Sequence, residues 1–94
     1  MLALREFIGS LKECVTNELE ISAQELEESL SERAVDARII VVGMLIRDGW
    51  SEREICHALG WSQQRVNWLK NHFNDRMKRR GFKVTWDEIM EFLR

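Results

Sequence analysis

The sequence predicts an all-α fold, a small helical bundle in one domain, and three observations carry that expectation. Proline is absent and glycine occurs five times in 94 residues, so few positions interrupt a helix. Apolar residues recur at spacings of three and four through much of the chain. One local pattern also repeats: apolar, hydroxyl, two others, glutamate, apolar. It reads Ile21-Ser22-Ala23-Gln24-Glu25-Leu26, Trp50-Ser51-Glu52-Arg53-Glu54-Ile55 and Val84-Thr85-Trp86-Asp87-Glu88-Ile89. In each, the hydroxyl can cap a backbone N–H, the glutamate can reach back to the cap's own N–H, and the apolar pair brackets the turn.

The elements follow in order. A first helix over about residues 3–19 carries Leu4, Ile8, Leu11, Val15 and Leu19 along one face. A short helix follows Ser22 to near Leu30. The next starts after Ser31 and runs to Asp48, with Gly49 as its stop. Its segment Ile39-Ile40-Val41-Val42-Gly43-Met44-Leu45-Ile46 is apolar nearly all round. A buried strand competes for that run because it is rich in β-branched residues. The helical flanks and the lack of a partner strand favour a central buried helix. Two helices then flank Gly60, at about 52–59 and 63–80; Gly81 should end the second, and a last helix should follow Thr85. Residues 1–30 are assigned to N-terminal packing or dimerisation, 31–80 to the core and 82–94 to the C-terminal helix.

Composition narrows the function classes. Hydrophobic residues at 45% and charged residues at 32% describe a globular chain. No apolar run is long enough to span a bilayer. Arg5 and Glu6 interrupt what would be a secretory h-region, so a cytoplasmic protein is expected. Cys14 and Cys56 form no C-x-x-C pair, and with His57 and His72 they make no four-ligand set, so neither a metal nor another cofactor is expected. Nor is there a phosphate-cradling glycine loop, or a nucleophile with a base at a recognised spacing; an enzyme is not expected. The net charge is −2, but residues 1–48 hold ten acids against five bases and residues 49–94 hold six against nine. The second half is the positive one.

That half also contains the most specific constellation. Two helices joined by a short glycine-containing turn have the shape of a helix-turn-helix. Ile55 and Leu59 point inward from the first helix, and Cys56 is small where the helices must approach. Gly60 accepts a left-handed turn. Trp61 closes the turn, and Val66, Leu69 and Phe73 line the inner face of the second helix. The stretch from Gly49 to Val66, GWSEREICHALGWSQQRV, resembles the G-x-S-x-x-E-I-A-x-x-L-G-x-S-x-x-T-V pattern of LuxR/GerE-type and sigma-factor region-four proteins. Cys56 and Arg65 stand where alanine and threonine are usual. Ser62-Gln63-Gln64 is similar to the start of the reading helix in lambdoid phage repressors. A slighter likeness to the DNA-binding domain of DnaA rests on Ala37-Arg38, Glu54-Ile55 and Leu59-Gly60, without that family's Asp-His-Thr-Thr.

The resemblance implies that the second helix enters a major groove of double-stranded DNA with its N-terminal residues at the base edges. The outward residues would be Ser62, Gln63, Gln64, Asn67, Trp68 and Asn71. Glutamine and asparagine offer an acceptor beside a donor, matching adenine N6 and N7; equally, they are ordinary surface residues. Trp68 either meets a thymine methyl or packs against another helix or a second subunit. Ser62, Arg53, Arg65, Lys70, Arg76, Arg79, Arg80 and Lys83 are the phosphate candidates, with Lys78 in the same basic cluster. Cations near a helix C-terminus also complement its dipole without any ligand.

Two functions are therefore expected from different classes. The first is a small prokaryotic or phage transcriptional regulator; the Leu4, Ile8, Leu11, Val15 stripe either joins a homodimer or, as is favoured, covers the core of its own chain. The second is an all-α adaptor that binds a protein of the polymerase or replication machinery, which suits the acidic first half and a pI near 5.7.

Overall fold

A computed structural model describes residues 4–93 of the chain. Six helices follow one another: α1 (Leu4–Leu19), α2 (Ala23–Glu28), α3 (Glu32–Arg47), α4 (Glu52–Leu59), α5 (Gln63–Met77) and α6 (Arg80–Phe92). Among the described residues there is no strand, and no helix is long and apolar enough to cross a membrane.

The serines begin helices as their spacing dictates. Ser22 Oγ accepts from Glu25 N at 3.0 Å while Glu25 Oε1 accepts from Ser22 N, and Ser51 with Glu54 repeats this reciprocal arrangement. Ser31 and Ser62 cap one way only, each accepting from the backbone three residues on. Gly49 and Gly60 end α3 and α4 with φ of 97° and 71°, a region costly for any residue with a Cβ.

α3 is the axis of the bundle. Every residue from Ala37 to Leu45 is buried, so the apolar run is a central helix and not a strand. α1, α2, α4 and α5 pack directly around it, and α6 closes the bundle against α1 and α5. Gly43 sets the approach of α5. A methyl there would sit 2.7 Å from two ring carbons of Phe73 and 3.2 Å from Trp86. The Phe73 ring in turn meets Trp86 edge-on at 4.8 Å between centroids.

The third cap pattern fails. The chain turns at Lys78-Arg79, α6 starts at Arg80, and Gly81 and Thr85 are helical residues inside it. Thr85 Oγ1 donates back to the Gly81 carbonyl at 3.1 Å, the bond of a mid-helix threonine and not of a cap. The reason is burial. Phe82, Trp86 and Ile89 are 5%, 5% and 0% exposed and form one stripe at i, i+4, i+7. A helix beginning after Thr85 would drop Phe82 from that stripe. Val84, the would-be bracket, lies exposed. α5 accordingly ends at Met77, short of the expected limit near residue 80.

The α1 stripe also finds its partner within the chain. Ile8, Leu11 and Val15 are buried in the core, so they offer no surface to a second copy. Residue 3 and the Leu4 side chain, assigned to the same helix and stripe, lie outside the described residues.

Among the described residues one charged side chain is buried. Arg38, 4% exposed, donates from Nη1 to the Leu26 carbonyl at 2.9 Å and from Nη2 to the Ser29 carbonyl at 2.7 Å. It thus satisfies carbonyls at the end of α2, where a cation is also favoured by the helix dipole. Desolvation, followed by the nearby Arg65, lowers its pKa from the ordinary arginine value. Replacement by methionine keeps the stem but strips both carbonyls of their donors. Arg38→Met should lower stability by about 2–3 kcal/mol, read from urea unfolding midpoints at constant slope.

Glu18 of α1 lies against Glu88 of α6. A hydrogen bond between the two carboxyl groups, then desolvation, then the like charge, raises the Glu18 pKa above its ordinary value. A raised acid favours the folded state while protonated, and that advantage disappears as pH rises through the folded pKa. Glu88→Gln should therefore raise Tm at pH ~7 and leave it unchanged near pH ~4, where carboxyl groups take up protons. A Tm gain equal at both pH values would contradict the pairing.

Candidate nucleic-acid interface

α4 and α5 are joined by Gly60-Trp61-Ser62, and both are anchored from one side. Ile55 and Leu59 of α4 are buried, as are Val66 and Leu69 of α5, while Cys56 and Phe73 are half-buried against the core. Trp61 is buried, and its Nε1 donates to both carboxylate oxygens of Glu27, the closer at 3.0 Å. The inward anchors leave the opposite face of α5 in solvent.

That face carries the predicted reading residues. Gln63, Gln64, Asn67, Trp68 and Asn71 are all exposed. Gln63 and Gln64 form no hydrogen bond among the described residues, so both amide groups are free at the first turn of α5. Ser62 is exposed, with its hydroxyl committed to Arg65 N.

Further along, the amides are tied together. Asn71 Nδ2 donates to Asn67 Oδ1 at 3.1 Å, and Asn67 Nδ2 donates to Glu52 Oε1 at 3.0 Å. Lys70 Nζ reaches the other oxygen of Glu52 at 3.1 Å. The Asn67 hydrogen bond, then that from Lys70, lowers the Glu52 pKa, so a carboxylate lies beside the middle of the face. Sequence reasoning missed this role for Glu52, which stands third in its cap pattern and carries no separate mark.

Trp68 is 45% exposed and stacks on His72 one turn away, with ring centroids 3.9 Å apart. His72 Nδ1 donates to the Trp68 carbonyl at 2.7 Å, so the proton sits on Nδ1 and Nε2 is left free of that bond. The pair forms a small aromatic shelf beside Asn67 and Asn71.

The phosphate candidates divide sharply. Arg65 turns inward: Nη2 donates to the Glu27 carbonyl at 2.6 Å, and the guanidinium lies 4.8 Å from the Trp61 ring centroid. It fastens α2 to α5. Arg76 pairs with Asp36, Arg79 with Glu32, and Lys83 with Asp87, while Lys70 is held by Glu52. Lys78 pairs with Asp75 at 3.6 Å. The basic cluster expected along one face is thus largely matched by carboxylates. Arg53 and Arg80 are exposed and have no ion pair among the described residues.

Cys14 and Cys56 are free, half-buried thiols, and burial followed by the nearby Glu18 raises the Cys14 pKa. Among the described residues no three His, Cys, Asp or Glu side chains gather as a metal site. No family model matches the chain, and neither the curated proteins nor the solved structures offer a match.

The two arginines flanking this interface should respond differently to truncation. Arg65→Ala removes a short bond to a carbonyl and should lower stability by about 1–3 kcal/mol. Arg53→Ala should stay within about 0.5 kcal/mol of the parent. Parallel urea titrations make the comparison.

Proposed function

We propose that this protein binds double-stranded DNA sequence-specifically, with α4 and α5 as a helix-turn-helix and α5 as the reading helix, and that it acts as a small transcriptional regulator. The observation that carries this reading is the exposed first turn of α5. Gln63 and Gln64 stand there unpaired, while Val66 and Leu69 on the other side are locked in the core. A helix of 15 residues with one free polar edge fits the width of a major groove. Each free amide presents the donor and acceptor that adenine's edge requires. Trp68 offers an apolar surface for a thymine methyl on the same face. A lone reading helix covers a short site, so two copies on one duplex are expected, joined through a surface other than the buried α1 stripe.

A second reading is favoured by the pairing of Lys70, Arg76, Arg79 and Lys83 with carboxylates. Cations so matched contribute little net field toward a polyanion. The same exposed face, with its Trp68–His72 shelf, would then meet a protein and the chain would serve as an adaptor.

Selection from random duplexes at two salt concentrations separates the readings. The DNA reading expects a bound sequence, affinity that falls steeply with salt, and at least about a tenfold loss for each of Gln63→Ala and Gln64→Ala. Absence of duplex binding even at low salt would leave the adaptor reading standing.

A further inference from the structure

With Lys70, Arg76, Lys78, Arg79 and Lys83 matched by carboxylates, part of the unmatched positive charge lies away from α5. An open cleft of about 740 Å³ runs between α1 and α4, lined by Arg5, Ile8, Arg53, Glu54, His57 and Ala58. Arg5, Arg53 and His57 form neither an ion pair nor a hydrogen bond among the described residues. Arg53 and His57 stand one turn apart on α4, and Arg5 comes from the first turn of α1. Among the described residues Glu54 is the one carboxylate in the lining. Its Oε1 accepts from Ser51 N at 3.0 Å, and backbone then side-chain bonds with Ser51 hold its pKa below the ordinary value. It offsets one of the two guanidinium charges and leaves the cleft cationic.

We infer that this cleft is a second phosphate site, in which Arg5, Arg53 and His57 hold the backbone of the duplex whose bases α5 reads. The inference rests on the DNA-binding reading and extends it to α1. Guanidinium groups from two helices present planar forks toward one open space, the arrangement that a phosphodiester's two free oxygens accept. The cleft is open, as a strand running through it requires. Arg53 neighbours Glu52 in the first turn of α4, and the Glu52 carboxylate touches Asn67 and Lys70 of α5, so the turn that lines the cleft also contacts the reading helix. In helix-turn-helix complexes the first helix crosses the backbone, and here α1 would lengthen that crossing.

The test uses the full chain and its selected duplex, with Arg5→Gln, Arg53→Gln and the double variant, each checked for an unchanged melting curve. Arg33→Gln, an exposed unpaired arginine outside the cleft, controls for net charge. Each cleft variant should lower the slope of log K against log salt by about 1 and weaken binding about 3- to 10-fold on every duplex sequence alike. Arg33→Gln should do neither. An unchanged slope in the double variant, or an equal loss with Arg33→Gln, overturns the site while leaving Gln63 and Gln64 to be judged separately. No duplex binding by the parent overturns both readings together. Saturable binding of pyrophosphate in the cleft, with duplex slopes unaltered by the variants, would assign it to free phosphates and overturn the backbone contact.

Discussion

A helix buried all round along its central stretch dictates the arrangement of this protein. From Ala37 to Leu45 nothing on α3 faces water, so neighbouring helices must enclose it on every flank. Burial of that much aliphatic surface is the largest favourable contribution available to a chain of this size. It also limits which side chains can sit at each contact. Gly43 brings α5 close enough for Phe73 to lie flush against α3, and Phe73 then meets Trp86 and Phe82 of α6. The orientation of α5 follows from this contact. With Val66 and Leu69 held against the core, the glutamines of its first turn have only solvent to face.

Charge follows a second logic. The acidic first half and the basic second half meet across the bundle in pairs such as Arg76 with Asp36 and Arg79 with Glu32. These partners are 40 and 47 residues apart in sequence. Arg38 and Arg65 go further, directing their guanidinium groups at backbone carbonyls around α2. Among the described residues the arginines left without an ion pair or a carbonyl partner are Arg5, Arg33, Arg47, Arg53 and Arg80, spread over several helices and not gathered at the end of α5.

The legible parts of this structure were the local ones. Ser22, Ser31, Ser51 and Ser62 start helices, and Gly49 and Gly60 end them, because caps are satisfied within four residues. The outward position of Gln63 and Gln64 follows from helical periodicity once Val66 and Leu69 are inside. The misread parts depended on distant chain. Thr85 carries a cap's sequence signature, yet the stripe of Phe82, Trp86 and Ile89 overrides it, since burying a phenylalanine outweighs one cap by about 1 kcal/mol or more. The inward bond of Arg65 likewise depends on distant chain, since its acceptor Glu27 lies 38 residues earlier. Spacing along one helix says nothing about an acidic residue contributed by another, so the partners of Lys70, Arg76 and Arg79 were invisible in sequence, whereas Lys83 with Asp87 and Lys78 with Asp75 are local pairs.

The fastening of α2 has a consequence of its own. Six residues are too few to hold a helix unaided, and this one is retained by Leu26 in the core and by two guanidinium groups reaching in from α3 and α5. Glu27 adds Trp61 and Lys12 to the same latch. Release of this segment would be a single cooperative opening that wets the Trp61 indole and unhooks Arg65 together. Because Arg65 belongs to the first turn of α5, a breathing motion more than thirty residues upstream would change the charge presented at that tip.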